Sequence, residues 1–364
     1  GEVGAAFSLY QRGREVVDLW GGVADQTAGR TWAEDTLQLV FSTTKGATAA
    51  CAHLLAQRGE LDFDAPVSEY WPEFKAEGKE QLPVRWLLSH RAGLPVVDRT
   101  LTPEEVLAWD PIVEALAGQR PAWEPGTAHG YHALTYGWLV GEVVRRISGR
   151  SLGRFFAQEI AEPLQLEFWI GLPQEHERRV SRLVELPRLS AAPAELDLSS
   201  LPEPMRELAA AFLDPDSVTN RALNVASPPL NYNSREVHAA EVPAANGICT
   251  ARALARLYAG LTGDVDGVRI LTPETVAAAT VEQSNGRDNV LLVPTRFGLG
   301  YFLPSTFSPM AGPASFGHAG AGGSLGFADP ETGVAFGYVM NKMQQNLAAD
   351  PRTLSLIEAV KSSI

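Results

Sequence analysis

The segment FSTTKGATAACAHLL (residues 41–55) limits the fold more tightly than any other part of the chain. Gly46, Ala47, Ala49, Ala50, Cys51 and Ala52 give its helical stretch almost no side-chain bulk. A helix this smooth is stable only when other elements close on it from nearly every side. Yet Lys45 stands in its first turn. The sequence therefore calls for a sheltered central helix with one cation held at its N-terminal end. The helix is expected to run to about Arg58 and to stop at Gly59, a C-cap residue.

The flanking text says what shelters it. Residues 3–10 (VGAAFSLY) and 16–20 (VVDLW), separated by QRGRE, read as a β-hairpin, and LQLVF leads straight into Ser42. From about Asp62 to Pro243 helical signals dominate: Thr102 as N-cap with Pro103 at N1 and Glu105 at N3, then TYGWLVGEVVRRIS closed by Gly149, SLGRFFAQEIAEPL and PEPMRELAAAFL. Residues 214–242, with prolines at 215, 228 and 229, read as irregular, a length typical of a functional cover or pocket wall. TARALARLYAGL, capped by Thr250, resumes the helical signal. Strands follow in RFGLGYFL, ASFGHAG, SLGFAD and VAFGYVMN, with a turn at 329–333 and a last helix over about Arg352–Ser362. The expected fold class is α+β (an α/β-sandwich): an antiparallel sheet from both termini, flanked by helices, with a mainly helical insertion. The expected domains are 1–61 with 246–364, and 62–245, with the active site between them.

Composition excludes some partners. A net charge of −13 over 364 residues argues against a nucleic-acid groove or an anionic membrane surface. No apolar run approaches the roughly 18 residues of a membrane span. Two cysteines, Cys51 and Cys249, are too few for a disulfide framework or a zinc site, and their small apolar surroundings predict buried thiols. The chain starts at Gly1 rather than methionine, so it reads as lacking its first residues, and the expected location is cytoplasmic. Oligomeric state is left open.

Ser42 and Lys45, at i and i+3, share one face of a helix. Free N–H groups and the positive dipole end at a first turn favour a developing negative charge. A lysine kept there, partly dry, has a lowered pKa and is suited to accept the serine proton. A Ser-x-x-Lys spacing arises by chance about once in a chain this long; here it occurs once, at a strand-to-helix junction ahead of a buried helix.

Three further stretches follow in order: LPVRWLLSHRAGLP (82–95), WEPGTAHGYHALTYGWLVGE (123–142) and FGHAGAGGSLGF (316–327). With FSTTKGATA they resemble the serine β-lactamase and penicillin-binding superfamily over nearly the whole chain, and within it the class-C-like esterases called family VIII carboxylesterases. The resemblance implies Ser42 as nucleophile, Lys45 as its activating partner and Tyr131 as the tyrosine of the Tyr-x-Asn motif. It implies His318-Ala319-Gly320 in place of Lys-Thr-Gly, and the Ala321 N–H beside that of Ser42 as oxyanion hole, with His318 and Gly320 at the substrate-binding edge. It implies no metal or organic cofactor, and a small-molecule ester as the substrate.

The departures matter. Ala133 replaces the motif's asparagine, and His318 and Ala319 replace a lysine and a hydroxyl residue. Those polar groups hold a β-lactam's amide and carboxylate; an ester needs neither. The reading is therefore a carboxylesterase for short-chain esters. A β-lactamase or D-amino-acid peptidase is the rival on the same fold, and a non-catalytic binding relative the rival from another class. Two other features read as structural. His129 and His132 lack a third metal ligand nearby. Gly322-Gly323-Ser324-Leu325-Gly326 matches the nucleophile elbow of α/β-hydrolases, but no histidine follows Ser324 and SLGFAD reads as strand, so its glycines are expected to permit close backbone approach.

Overall fold

A computed structural model describes residues 1–184 and 205–363. Six strands make the main sheet: β1 (Gly4–Gln11), β2 (Arg14–Asp25), β3 (Arg30–Thr31), β4 (Phe316–Ala319), β5 (Leu325–Asp329) and β6 (Val334–Met340). Their order is β3-β2-β1-β6-β5-β4, antiparallel throughout. The two ends of the chain thus meet at the centre of the sheet, with Phe7 opposite Tyr338 and Leu9 opposite Phe336. The β1–β2 turn places Arg12 and Gly13 at positive φ (50° and 78°), the two-residue hairpin geometry that matches strand twist.

Four helices carry the argument: α1 (Thr44–Gln57), α2 (Thr135–Ser148), α3 (Ala251–Thr262) and α4 (Pro351–Lys361). Strand alternation sends Tyr10, Ala328, Ala335 and Val339 into one core with Leu254 and Tyr258 of α3. The other face sends Leu9, Phe327, Val334 and Phe336 against Ile357 and Val360 of α4. The fold is the expected sheet flanked by helices.

Every residue of α1 from Thr44 to Leu55 is buried, against α2 on one side and β4 on another. The small residues are what permit this: a Cβ on Gly46 would lie 2.2 Å from the Tyr258 hydroxyl of α3. The helix ends as expected, with Gly59 at φ 74° just beyond it. The Thr102–Glu105 capping box, the Gly149 cap of α2 at φ 68° and the Thr250 cap of α3 are likewise present. Cys51 and Cys249 are buried and unpaired.

Four local readings change. LQLVF is strand only over Gln38–Leu39, because Phe41, at φ 46°, turns the chain into a 3₁₀ turn spanning Phe41–Thr43. SLGRFFAQEIAEPL starts on its Ser151 cap but loosens into a π turn at Ala157–Ala161, ahead of Pro163. RFGLGYFL is not one strand: Pro294–Phe297 pairs with Ser284–Arg287, and Gly300 at φ 86° bends the chain so that Phe302 bridges to Gly317. The stretch 214–242 holds two short helices, Val218–Leu223 and Arg235–Ala239, opened by Ser217 and Ser234 caps that lie hidden among its prolines. The helix read in PEPMRELAAAFL is present as Met205–Leu213; its first residues, 202–204, lie outside the described residues. Among the described residues no helix is long and apolar enough to cross a membrane.

Candidate active site

Ser42 sits in the 3₁₀ turn ahead of α1, and the helix brings Lys45 beside it, Nζ to Oγ 3.0 Å. Two backbone carbonyls complete the lysine's surroundings: Ala133 at 2.6 Å and Ala244 at 3.0 Å. Lys45 is completely buried, and loss of hydration pushes its pKa well below the ordinary lysine value. As an ammonium it fills all three acceptors. As a neutral amine its two N–H groups satisfy the two carbonyls, and its lone pair is left facing the serine hydroxyl.

The rest of α1 holds this arrangement together. Thr44 Oγ1 accepts from the Gly247 N–H (2.8 Å), and Thr48 Oγ1 donates to the Pro243 carbonyl (2.6 Å). Asn246 accepts from Val242 N–H and donates to the Val237 and Ala240 carbonyls, tying up the loop that presents Ala244. Sequence reading missed this loop, since it offers carbonyls rather than side chains.

Tyr131 lies next to both groups. Lys45 Nζ stands 4.8 Å from its ring centre. Burial pushes the phenol pKa up, with the adjacent Ser42 hydroxyl acting in the opposite direction and the Asp288 charge adding to the rise. Asp288, which sequence reading did not single out, is fully buried and accepts the Tyr131 N–H (3.0 Å), the N–H groups of Val290 and Leu291 (both 2.8 Å) and the Thr295 hydroxyl (3.1 Å). It pins the backbone from which Tyr131 projects. Nothing in a lone aspartate in a turn marks it beforehand.

Four of the seven histidines pack on Tyr131 or on the segment that carries it. His90, in LLSHRAGLP, packs 5.0 Å from the Tyr131 ring, and its Nδ1 accepts the His132 N–H at 3.1 Å. His132 donates from Nδ1 to the Gly130 carbonyl and accepts the Leu94 N–H at Nε2, so both nitrogens are taken. His129 contacts Thr295 Oγ1 at 2.9 Å. His318 donates from Nδ1 to the Ala319 carbonyl and packs 4.5 Å from Phe302 and 6.0 Å from Tyr131. Burial drives its pKa well down, leaving it neutral.

A cavity of about 130 Å³ opens above Ser42, Tyr131, Ala133 and Ala321. Its walls are Leu223 and Tyr232 from the 214–242 stretch, with Leu291, Phe302, Phe307 and Leu347. Among the described residues no charged side chain lines it. His318 and Gly320 stand behind this surface rather than on it: His318 backs Tyr131, and Gly320 lets the chain pass within touching distance of Val40, where a Cβ would lie 2.2 Å from the carbonyl. Ala321 occupies the first corner of a turn closed by the Gly323 N–H on the Gly320 carbonyl (3.1 Å), with Gly322 at φ 85° at the second, a type II turn. Among the described residues, neither the Ala321 nor the Ser42 N–H has a protein acceptor.

Ser324 is not at an elbow. It precedes β5 in mid-sheet, is 1% exposed, and its Oγ donates to the Val40 carbonyl (2.8 Å) while lying 3.1 Å from Thr43 Oγ1. It braces the turn that carries Ser42. Ser324→Ala is expected to lower stability by ~1 kcal/mol, the worth of an ordinary hydrogen bond, while activity stays within about tenfold of the parent. Urea unfolding and ester turnover on the same sample check both.

Residues 1–361 match the protein family described as Beta-lactamase. The chain is 40% identical over 352 residues to "Esterase/beta-lactamase LipL" of Mycobacterium tuberculosis (strain ATCC 25618 / H37Rv), covering 93% of this chain and 77% of that protein. It superposes on a crystal structure of a family VIII carboxylesterase with a TM-score of 0.87 at 37% identity, over 100% of this chain and 93% of the other. A penicillin-binding protein homologue from Caulobacter crescentus gives 0.85 at 38% identity, over 100% and 93%. Sequence, sheet order and the Ser-Lys-Tyr cluster agree: the chain belongs to the Beta-lactamase family.

Proposed function

We propose that this protein is a serine hydrolase of short-chain carboxylic esters, working through an acyl-enzyme on Ser42. One observation carries the reading. A dry lysine contacts a serine hydroxyl at the floor of a small apolar cavity without charged walls. Lys45, neutral because it is buried, takes the Ser42 proton as Oγ attacks the ester carbonyl. The N–H groups of Ser42 and Ala321 receive the oxyanion. Tyr131, a phenol because its pKa is raised, gives its proton to the leaving alkoxide and is reprotonated by the Lys45 ammonium, which returns the lysine to the neutral amine. Water deprotonated through the same pair then frees the acid. In this reading His318 is a support for Tyr131 and Gly320 a floor element, neither touching substrate. We further assign residues 1–61 with 246–364 and residues 62–245 to two domains flanking the site. We also assign a cytoplasmic location, which suits two unpaired thiols.

Substrate class follows from Ala133, His318 and the uncharged walls. A β-lactam's carboxylate and amide need partners here that the cavity lacks. Hydrogen bonds to charged groups are worth roughly 1.5–3 kcal/mol and neutral ones about 1. Losing two or three amounts to on the order of 10³-fold in efficiency. The expected result is kcat/KM on p-nitrophenyl butyrate at least ~10³-fold above that on nitrocefin, with acyl groups of about two to six carbons preferred. A higher value on nitrocefin would establish the β-lactamase alternative. A D-amino-acid peptide hydrolysed faster than the ester would favour the peptidase.

A further inference from the structure

We propose that Arg352, on α4, is a positioning residue for the oxyanion donor at Ala321. This rests on the assignment of Ser42 and Ala321 above. All five N–H donors of its guanidinium are engaged. Nε donates to Asp350 Oδ1 (2.8 Å) and Nη2 to Asp350 Oδ2 (2.7 Å). Nη1 donates to Glu2 (3.1 Å) and to the Lys342 carbonyl (3.0 Å), and the remaining Nη2 hydrogen goes to the Gly322 carbonyl.

That last contact reaches the active site through two peptide groups. The Gly322 carbonyl and the Gly323 N–H belong to one rigid plane. The Gly323 N–H donates to the Gly320 carbonyl, and that carbonyl shares its plane with the Ala321 N–H. Holding Gly322 from behind therefore fixes the direction in which the Ala321 N–H points. Hydrogen bonds in series polarise one another, so the donor is also strengthened. Asp350 and Glu2 offset much of the guanidinium charge, so orientation is the larger effect.

Of the false elbow's glycines, Gly323 is explained by this clamp. A Cβ on Gly323 would lie 2.3 Å from Arg352 Nη2 and 2.7 Å from Asp350 Oδ2. Gly322 donates to the Asn346 carbonyl and accepts the Gln344 N–H (3.1 Å each), so the turn is braced from the 342–350 loop as well. Asn346 in turn donates to Asp350 (2.8 Å). The sheet, this loop and the start of α4 thus converge on one peptide.

An oxyanion donor acts in the transition state and not on bound substrate. Arg352→Met is therefore expected to lower kcat on p-nitrophenyl butyrate by about 10- to 100-fold, short of the ~10²–10³ for outright loss of a donor, with KM within about twofold. Binding of an aryl trifluoromethyl ketone, whose Ser42 adduct places an oxyanion in the same position, should weaken by the same factor. Glu2→Gln removes a charge from the same guanidinium but keeps an acceptor for Nη1 and leaves the Nη2 contact to Gly322 in place, so it should leave kcat unchanged. Arg352→Lys, expected to fold and to give an intermediate kcat at constant KM, decides the matter if Arg352→Met does not fold. Unchanged kcat, a loss confined to KM, unchanged ketone affinity, or an equal kcat loss in Glu2→Gln would each overturn the proposal. Full activity in Ser42→Ala would instead overturn the reading on which it rests.

Discussion

Ser42→Ala is expected to lower ester kcat/KM by at least ~10³-fold and to abolish labelling by a fluorophosphonate probe, with the fold unchanged by circular dichroism. The size follows from what the hydroxyl does. It is the atom that would form the acyl bond, and among the described residues no second hydroxyl stands in the cavity in position to replace it. Ser324 faces the Val40 carbonyl from behind the turn. Thr43 is buried against Ser324, and Thr44 bonds the Phe41 carbonyl. The remaining hydroxyls, on Tyr131 and Tyr232, belong to phenols that burial keeps protonated. Residual activity would come from the oxyanion donors alone. Equal losses in Ser42→Ala and Ser324→Ala, both folded, would defeat the assignment.

Lys45→Ala and Tyr131→Phe should each cost ~10²-fold or more in kcat/KM, and the double variant far less than the product of the two. Groups that move one proton between them fail together, because removing either already breaks the relay. Losses that simply multiply would mean the residues act independently. The pH profile gives a second reading of the same pair. The Lys45 pKa is lowered, so the amine is already neutral above that lowered value, and the acidic limb must fall below the ordinary lysine range. The Tyr131 pKa is raised, so the phenol keeps its proton through and beyond the pH at which a free phenol would lose it. Tyr131→Phe should lower the plateau and leave the acidic limb where Lys45 sets it. A limb near pH 10 in the parent enzyme would mean that the lysine is hydrated and is not the base.

Much of the site is legible in the sequence. Ser42 and Lys45 are three residues apart on one helix, so their contact is a local property of the backbone. The smoothness of α1 already implied enclosure, since a helix without bulk is stable only when surrounded. Turn and cap residues, such as Gly149 and the Thr102–Glu105 pair, act within a few residues and were legible for the same reason. The motif order carried Tyr131 and Ala321 by resemblance, and the structure brings both to the cavity that holds Ser42. The caps at Ser217 and Ser234 were equally local, but neighbouring prolines masked them.

What the sequence by itself determined is therefore what short-range geometry controls: the serine–lysine pair, the helix ends, the alternation of the strands and the class of fold. Only the tertiary structure decided the partners that arrive from far along the chain. Ala133 and Ala244 serve through backbone carbonyls, which every residue possesses and no pattern can mark. Asp288 holds the Tyr131 backbone from 157 positions away, and Arg352 reaches Gly322 from the last helix. The apolar walls at Leu223, Phe307 and Leu347 become a cavity only when distant loops close over Ser42. Contacts of this kind depend on how whole elements pack. The residues involved carry no local signal, because the reason for their identity lies on another part of the chain.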